Sequence, residues 1–231
     1  EKQEGKKPKQ TRLVCEQLQK YFPNLNAAAR YYYKKEKYKE AMPYLRICLD
    51  LPHTELGQSA HLSTRGDEQN AIFYLISAFC TKQYGEVTRY DSLALSPVAT
   101  RPTIMKYLSL TAEAETDTTT YHRQLCEGWK AYPHDAFFFT RLADFYNCNK
   151  LFHQTLLLSA QQLKMDSTYT AAYMAQCVAH YELQQYDSCI VSAQHTLACD
   201  STYAEAHYYI GASSVNKVKL INLPDHITSR A

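Results

Sequence analysis

The chain has 231 residues, of which 45% are hydrophobic and 21% are charged, and its formal net charge is +2. At about 150 residues per domain, this length would correspond to one or two globular domains. No stretch approaches the roughly 18 consecutive apolar residues that a membrane-spanning helix requires, so we expect no membrane span.

The N-terminal segment differs from the rest of the chain. Residues 1–10 contain no apolar side chain and are predicted to form a disordered tail. Residues 11–21 carry Leu13, Val14, Leu18 and Tyr21 at spacings that suit one face of a short helix. We expect this amphipathic helix to cap the array of elements that follows it.

The main body of the chain is an internal repeat. Residues 166–169 (Asp-Ser-Thr-Tyr) return unchanged as residues 200–203, which is a step of 34 residues. Two ladders share this step, with one longer step of 46 that predicts an insertion near residues 53–67. The large apolar ladder is Leu49, Leu95, Trp129, Leu163 and Leu197, and the aromatic ladder is Tyr38, Tyr84, Phe152 and Tyr186, interrupted by Thr118.

Within each copy the apolar period is that of a helix. In residues 136–169, Phe139, Leu142, Ala143 and Tyr146 fall on one helical face, and a second helix follows a short break. The chain has only six glycines and no Asn-Gly or Asp-Gly hairpin signal. The prediction is therefore an all-α fold of tandem helix-turn-helix units, in which the side-chain oxygens of residues 166–168 cap the next helix.

The pattern resembles the tetratricopeptide repeat. The final copy keeps the Ile210-Gly211 pair, and other copies keep further signature residues. These are Leu25, Ala29, Tyr32, Tyr38, Ala41 and Leu49 in the first copy and Met105, Leu108, Trp129 and Pro133 in the third. The resemblance implies a right-handed α-solenoid over residues 22–217. Its copies would be residues 22–55, 68–101, 102–135, 136–169 and 170–203, with a partial copy at 204–217 and an irregular tail at 218–231.

Charge is unevenly distributed along the chain. Residues 1–50 hold twelve Lys and Arg against six Asp and Glu, whereas residues 151–210 hold one Lys against five acidic residues. A basic cluster at Lys34, Lys35, Lys37 and Lys39 lies among tyrosines. It could contact an acidic peptide or nucleic acid, but a solvated turn is the commoner explanation, and no nucleic-acid module accompanies it. We therefore expect no nucleic-acid partner.

The eight cysteines form no Cys-x-x-Cys pair and no zinc-finger spacing, so most are expected to be reduced core residues. In the family register, Cys177 and Cys189 lie where the two helices of one copy approach most closely. A disulfide between them remains open, as does a metal site that includes His180. The minority interpretation is an enzyme built on this set or on His122 and Cys126. No phosphate loop, serine elbow or zincin motif is present, and we predict no catalytic residue, metal or cofactor.

The resemblance implies a ligand-binding groove on the concave face, lined by the first helix of each copy. Several of its positions are apolar or aromatic here, which departs from the Lys/Arg/Asn clamp of family members that grip a C-terminal carboxylate. The predicted groove residues are Asn26, Arg30, Tyr33, Ile72, Ile76, Phe79, Lys106, Leu110, Phe137, Thr140, Arg141, Asp144, Met174, Val178, Tyr181 and Tyr208.

The sequence thus predicts a non-enzymatic scaffold that binds a protein or peptide. The alternatives are a structural module of a larger protein and, less favoured, a metal- or Cys/His-dependent enzyme. The chain does not begin with Met, and this feature alone favours the cell envelope or periplasm over the cytoplasm as its compartment.

Overall fold

The computed structural model describes residues 9–220, and over this range the chain forms helices joined by short turns, with no strand. The all-α prediction is confirmed. The helices are α1 Lys9–Lys34, α2 Tyr38–Asp50, α3 Glu55–Ser59, α4 Asp67–Cys80, α5 Tyr84–Val87, α6 Asp91–Ala94, α7 Arg101–Ala114, α8 Thr118–Ala131, α9 Ala136–Cys148, α10 Phe152–Met165, α11 Thr170–Glu182, α12 Tyr186–Cys199 and α13 Ala204–Leu220, with a single 3-10 turn at Leu51–His53. Within the described residues, no helix is both long and apolar enough to cross a membrane.

The second helix of each copy begins on the aromatic ladder. Tyr38, Tyr84, Thr118, Phe152 and Tyr186 are the first residues of α2, α5, α8, α10 and α12. The second copy differs from the others because its second helix is divided into α5 and α6, which have four residues each.

The turn inside each copy has one recurring geometry. A residue with φ between 56° and 58° lies two positions before every ladder residue, at Glu36, Lys82, Thr116, Lys150 and Gln184. In each turn its N–H bonds to the carbonyl three residues back, and the next N–H reaches the carbonyl five residues back, as in Gln185 N to His180 O at 2.8 Å. This is the Schellman end of a helix, in which a left-handed residue usually is glycine. Here none of the five is.

The chain divides into two compact units, one up to Gln124 and one from Leu125. In the first unit, Leu45 of α2, Leu75 of α4 and Ile104 of α7 are fully buried in one apolar cluster. In the second unit, Phe138, Phe139 and Leu142 of α9 are buried, and a separate cluster surrounds Cys177 and Cys189.

The predicted capping helix at residues 11–21 is not a separate element. It is part of α1, which begins at Lys9 and continues through Pro23 to Lys34. Its apolar face does not cover the array, because Leu13 and Tyr21 are 58% and 51% exposed. Lys9 and Gln10 of the predicted tail are helical, and residues 1–8 lie outside the described range.

The insertion that the 46-residue step predicted holds α3, which packs beside α1. Gln19 Nε2 donates to the Ala60 carbonyl at 2.7 Å. Thr54 caps α3 by accepting the Gly57 N–H at 3.0 Å. Gly57 is required at this point, because a β-carbon there would lie 1.9 Å from the Leu51 carbonyl oxygen.

The C-terminal boundary also differs from the prediction. The helix expected to end at residue 217 continues as α13 to Leu220, so residues 218–220 are helical and not irregular. The rest of the predicted tail, residues 221–231, lies outside the described range.

Candidate functional site

The second unit contains a pocket of about 230 Å³ between the first helices of two successive copies. One wall comes from α9 and the other from α11, and Tyr203, which lies just before α13, also lines the pocket. The lining residues are Phe139, Thr140, Ala143, Asp144, Asn147, Ala171, Met174, Ala175, Val178 and Tyr203.

Helical spacing explains why these side chains converge. On α9, Thr140, Asp144 and Asn147 follow one another at intervals of four and three residues, which keeps them on one face. On α11, Ala171, Ala175 and Val178 do the same. Helix α9 is fixed at its start by Asp135, whose Oδ1 accepts the Phe137 N–H at 3.1 Å. Small residues on α11 leave space between the two walls.

The repeated Asp-Ser-Thr-Tyr motif positions Tyr203. Asp200 Oδ1 accepts hydrogen bonds from the backbone N–H and the hydroxyl of Thr202, at 2.9 and 2.7 Å. Asp166 bonds to Thr168 with the same two distances. These bonds form a turn between copies, and they lower the pKa of both carboxyl groups because they favour the charged form. The expected capping of the next helix by residues 166–168 does not occur, since the N-cap residue of α11 is Tyr169 and no side chain caps this helix.

Asp144 is the only charged side chain among the ten residues that line the pocket. The neighbouring protein atoms remove water from its carboxylate, which raises its pKa, and the Arg141 guanidinium partly opposes this. Asn147 lies one turn further along α9, and its Oδ1 accepts the buried Thr155 hydroxyl at 2.7 Å. This bond leaves the amide N–H₂ of Asn147 as the group that can donate to a ligand.

Four predicted groove residues line this pocket, namely Thr140, Asp144, Met174 and Val178. The other four predicted residues of the second unit are not among the residues that line it. The Arg141 guanidinium is 5.8 Å from the centre of the Phe137 ring. Tyr181 packs edge-on against Tyr209 at 5.2 Å and accepts a hydrogen bond from Asn216, whereas Tyr208 is 65% exposed.

In the first unit most predicted groove residues make packing contacts. Ile72 is 6% exposed and belongs to the core, so its assignment to a ligand-binding surface is wrong. Tyr33 stacks on Phe73 with ring centres 3.9 Å apart. Phe79 contacts Tyr107 edge-on at 5.1 Å. Ile76 packs against the same core.

The remaining predicted residues of this unit are more varied. Asn26 Oδ1 accepts a hydrogen bond from the buried Asn70 at 2.9 Å, so its side chain joins α1 to α4. Arg30 is exposed, and a β-carbon on Gly66 would lie 3.1 Å from its guanidinium. Lys106 and Leu110 are half-buried on α7.

Sequence reasoning missed six residues of the pocket. Asn147 and Ala171 each extend a predicted face by one turn, so the helical spacing could have identified them. Ala143 was predicted only to lie on the apolar face of its helix, together with Phe139. Tyr203 lies in a turn, where helical periodicity gives no information about direction.

A second cavity, of about 500 Å³, lies in the first unit beside the divided second helix. It was not predicted. Two pairs of its lining side chains bond to each other: Tyr74 donates to Glu86 Oε2 at 2.6 Å, and Gln83 Nε2 contacts Met42 Sδ at 3.3 Å. Burial and the Glu86 contact raise the pKa of Tyr74, so it remains a neutral donor at neutral pH.

The residues considered for an enzyme or metal site have other contacts. His180 Nδ1 bonds to Gln185 Oε1 at 2.7 Å, while Cys177 faces Cys189. Cys126 Sγ lies 3.9 Å from the Tyr146 hydroxyl, whose pKa is raised to about 12, first by burial and then by Cys126. In the described part of the chain, no three His, Cys, Asp or Glu side chains are grouped so that they could hold a metal ion.

Comparison with solved structures identifies the fold. A tetratricopeptide repeat protein from Parabacteroides merdae ATCC 43184 superimposes over 84% of this chain and 72% of its own length, with a TM-score of 0.59 and 9% sequence identity. MamA MSR-1 C2 superimposes over 80% of this chain and 98% of its own length, with a TM-score of 0.50 and 14% identity. No protein-family model matches the sequence, and no curated protein matches it. The chain has the tetratricopeptide-repeat fold.

Proposed function

We propose that this chain is a non-enzymatic scaffold that binds a segment of another protein on the first helices of its copies. The pocket between α9 and α11 would receive one basic side chain of that segment. The observation that carries the proposal is a small pocket with apolar walls and a single carboxylate, that of Asp144.

The volume of the pocket favours a side chain over a small molecule. Sites for drug-sized ligands measure about 300–1,000 Å³, and this pocket measures about 230 Å³. One Lys or Arg side chain suits a space of this size.

The chemistry of the walls favours a basic side chain. Met174 and Val178 would pack against the aliphatic stem, as apolar surfaces do with the stems of Lys and Arg. The Asp144 carboxylate would accept a charge-assisted hydrogen bond from the cationic head, and the Tyr203 ring would face the cation. The excess of acidic residues in 151–210 would attract a basic segment from a distance.

A random peptide library displayed on phage tests this function. We expect the chain to select peptides that share a Lys or Arg at one fixed position. Asp144→Asn should lose this enrichment, because the amide keeps the shape of the side chain but removes its charge. Asp187→Asn is the matched control on α12, where the carboxylate forms an exposed ion pair with Lys217 that contributes little to stability.

Two results would contradict the proposal. One is a selection that enriches no sequence above background. The other is a basic position that survives in the Asp144→Asn selection, which would place the recognised cation elsewhere. Thermal melting of both variants checks that folding is unchanged.

A further inference from the structure

Two buried cysteines face each other between α11 and α12, the last complete helix pair within the described residues. The sulfur of Cys177 on α11 lies 3.5 Å from the sulfur of Cys189 on α12, and both side chains are 0% exposed. Both thiols are free. A disulfide bond measures about 2.05 Å, so the two sulfurs would have to approach by only about 1.5 Å.

A third side chain completes this cluster. Ser213 of α13 is also 0% exposed, and its hydroxyl donates to Cys189 Sγ at 3.1 Å. The Cys189 sulfur therefore has two neighbours that can donate a hydrogen bond to it, Cys177 and Ser213. The corresponding neighbour of the Cys177 sulfur is Cys189. The environment of the two thiols is unequal, although both are enclosed.

We propose that Cys177 and Cys189 form a reversible oxidation site, in which a small peroxide closes a disulfide between α11 and α12 and a dithiol reopens it. The site is distinct from the peptide pocket, but it lies on the same helix, since Cys177 is between Met174 and Val178. Closing the bond would tie one wall of the pocket to α12.

The hydrogen bonds assign the role of each sulfur. Bonds from Cys177 and Ser213 favour the thiolate of Cys189 and lower its pKa, whereas Cys177, as the donor of one of them, has a raised pKa. The thiolate is the form that reacts with oxidants. Cys189 is therefore the sulfur that the oxidant meets first, and Cys177 is the one that resolves the intermediate.

The reaction balances with one hydrogen peroxide. The Cys189 thiolate attacks one oxygen, the O–O bond breaks, and a sulfenic acid and hydroxide form. The Cys177 sulfur then attacks the Cys189 sulfur, the S–O bond breaks, and the S–S bond forms. The two thiol protons end in water, so two thiols lose two electrons and the peroxide becomes two water molecules.

Burial selects the oxidant by size. Hydrogen peroxide is close to water in size and can enter through small fluctuations, whereas a bulky disulfide requires a larger local opening. The exposed cysteines Cys80, Cys148 and Cys199 provide an internal reference, because an alkylating agent should reach them in the folded protein.

Mass spectrometry tests the proposal on the whole chain. The exposed thiols are blocked with N-ethylmaleimide in the folded state, and hydrogen peroxide is then added and removed. We expect the intact mass to fall by about 2 Da, as one disulfide requires, and to return after treatment with dithiothreitol. This measurement needs no variant, so it does not depend on whether substituted chains fold.

Peptide mapping identifies the bond. Trypsin alone leaves both cysteines in one peptide, but additional cleavage after Glu182 separates residues 165–182 from 183–205. These two fragments should remain joined until reduction. A Cys199→Ser background removes the other cysteine of the second fragment, so that a link must involve Cys177 and Cys189.

Two variants test the roles of the side chains. Cys177→Ala should abolish the mass loss. Ser213→Ala should slow closure at neutral pH and approach the parent rate as pH rises, because the lost hydroxyl matters only while the thiolate is scarce. The proposal is overturned if the fragments do not join, if the wild type instead gains oxygen atoms on separate cysteines, or if Ser213→Ala closes at the parent rate.

Discussion

Asp166 and Asp200 show how a short repeated motif acts in this fold. Each carboxylate holds the residue two positions later, and each motif ends in a tyrosine that packs against a first helix. Tyr169 meets the Phe139 ring edge-on at 5.2 Å, and Tyr203 lines the pocket. The motif therefore connects one copy to the next and orients an aromatic ring.

The sequence revealed the recurrence of this motif but not its contacts. Spacing places an aspartate before a helix, and capping is the commonest role for that position. The turn geometry decides which backbone N–H the carboxylate reaches. Here the carboxylates accept the N–H groups of Thr168 and Thr202, which lie in the turn before the helix begins.

Substituting alanine at two helical glycines should change the free energy of unfolding in opposite directions. A β-carbon on Gly128 would lie 2.2 Å from the fully buried Phe138 ring, so Gly128→Ala should cost about 1–3 kcal/mol of unfolding free energy through overpacking. A β-carbon on Gly211 would meet no other described atom within 4 Å apart from its chain neighbours and the backbone of its own helix, so Gly211→Ala in α13 should gain about 0.5–1 kcal/mol from reduced chain entropy. Chemical denaturation measures both changes.

Equal signs for the two substitutions would contradict this account of the packing. The family resemblance alone suggests that Gly211 permits a close helix contact, because it is the glycine of the signature pair. The described residues hold no second helix to follow α13, and the space beside Gly211 is therefore open.

At the scale of elements, the left-handed turn inside each copy carries a measurable strain. Thr116 has φ 58°, although a β-branched residue is among the least suited to that conformation. Thr116→Gly should stabilise the chain by about 1 kcal/mol. A residue other than glycine costs roughly 1–2 kcal/mol in the left-handed conformation, and the gain from removing this cost is partly offset because glycine loses more chain entropy on folding.

Ala160→Gly is the matched control for this substitution. Ala160 is exposed within α10, where glycine should cost roughly 0.5–1 kcal/mol. A Thr116→Gly variant that loses as much stability as Ala160→Gly would show that the turn is not strained.

The aromatic ladder coincides with the starts of four of the five second helices, and Thr118, which interrupts the ladder, begins the fifth. The ladders did not predict the break between α5 and α6. Tyr84 and Leu95, at the two ends of this segment, keep the positions that the repeat assigns to them. Positions at the two ends give no information about whether the helix between them is continuous. Tertiary contacts fix the two halves separately, with Val87 and Ala94 both fully buried and Tyr90 donating to Asp50 at 2.6 Å.

At the scale of the whole chain, periodicity assigned residues to first helices but not to a ligand-binding surface. Thr140, Asp144, Met174 and Val178 share a pocket because the small side chains of Ala171 and Ala175 on α11 leave the space between its walls unfilled. Ile72 occupies the position in its copy that Thr140 occupies in residues 136–169, yet its neighbours bury it. Exposure at a given helical position depends on the volumes of side chains distant in sequence, which no local pattern contains.

The central claim is that the α9–α11 pocket holds a side chain of the bound segment, and filling the pocket tests it most directly. Ala171 lines the pocket and is half-buried, so Ala171→Phe should occupy the space with little change to the core. Ala198→Phe makes the same change at an exposed position of α12.

Isothermal titration with a library-selected peptide measures the affinity of each variant. We predict that Ala171→Phe weakens binding by about 2 kcal/mol or more, roughly thirtyfold in Kd, as loss of a central anchor does. Ala198→Phe should bind like the parent, and both should melt normally. If a normally folded Ala171→Phe binds the peptide with the parent affinity, the pocket is not the binding site.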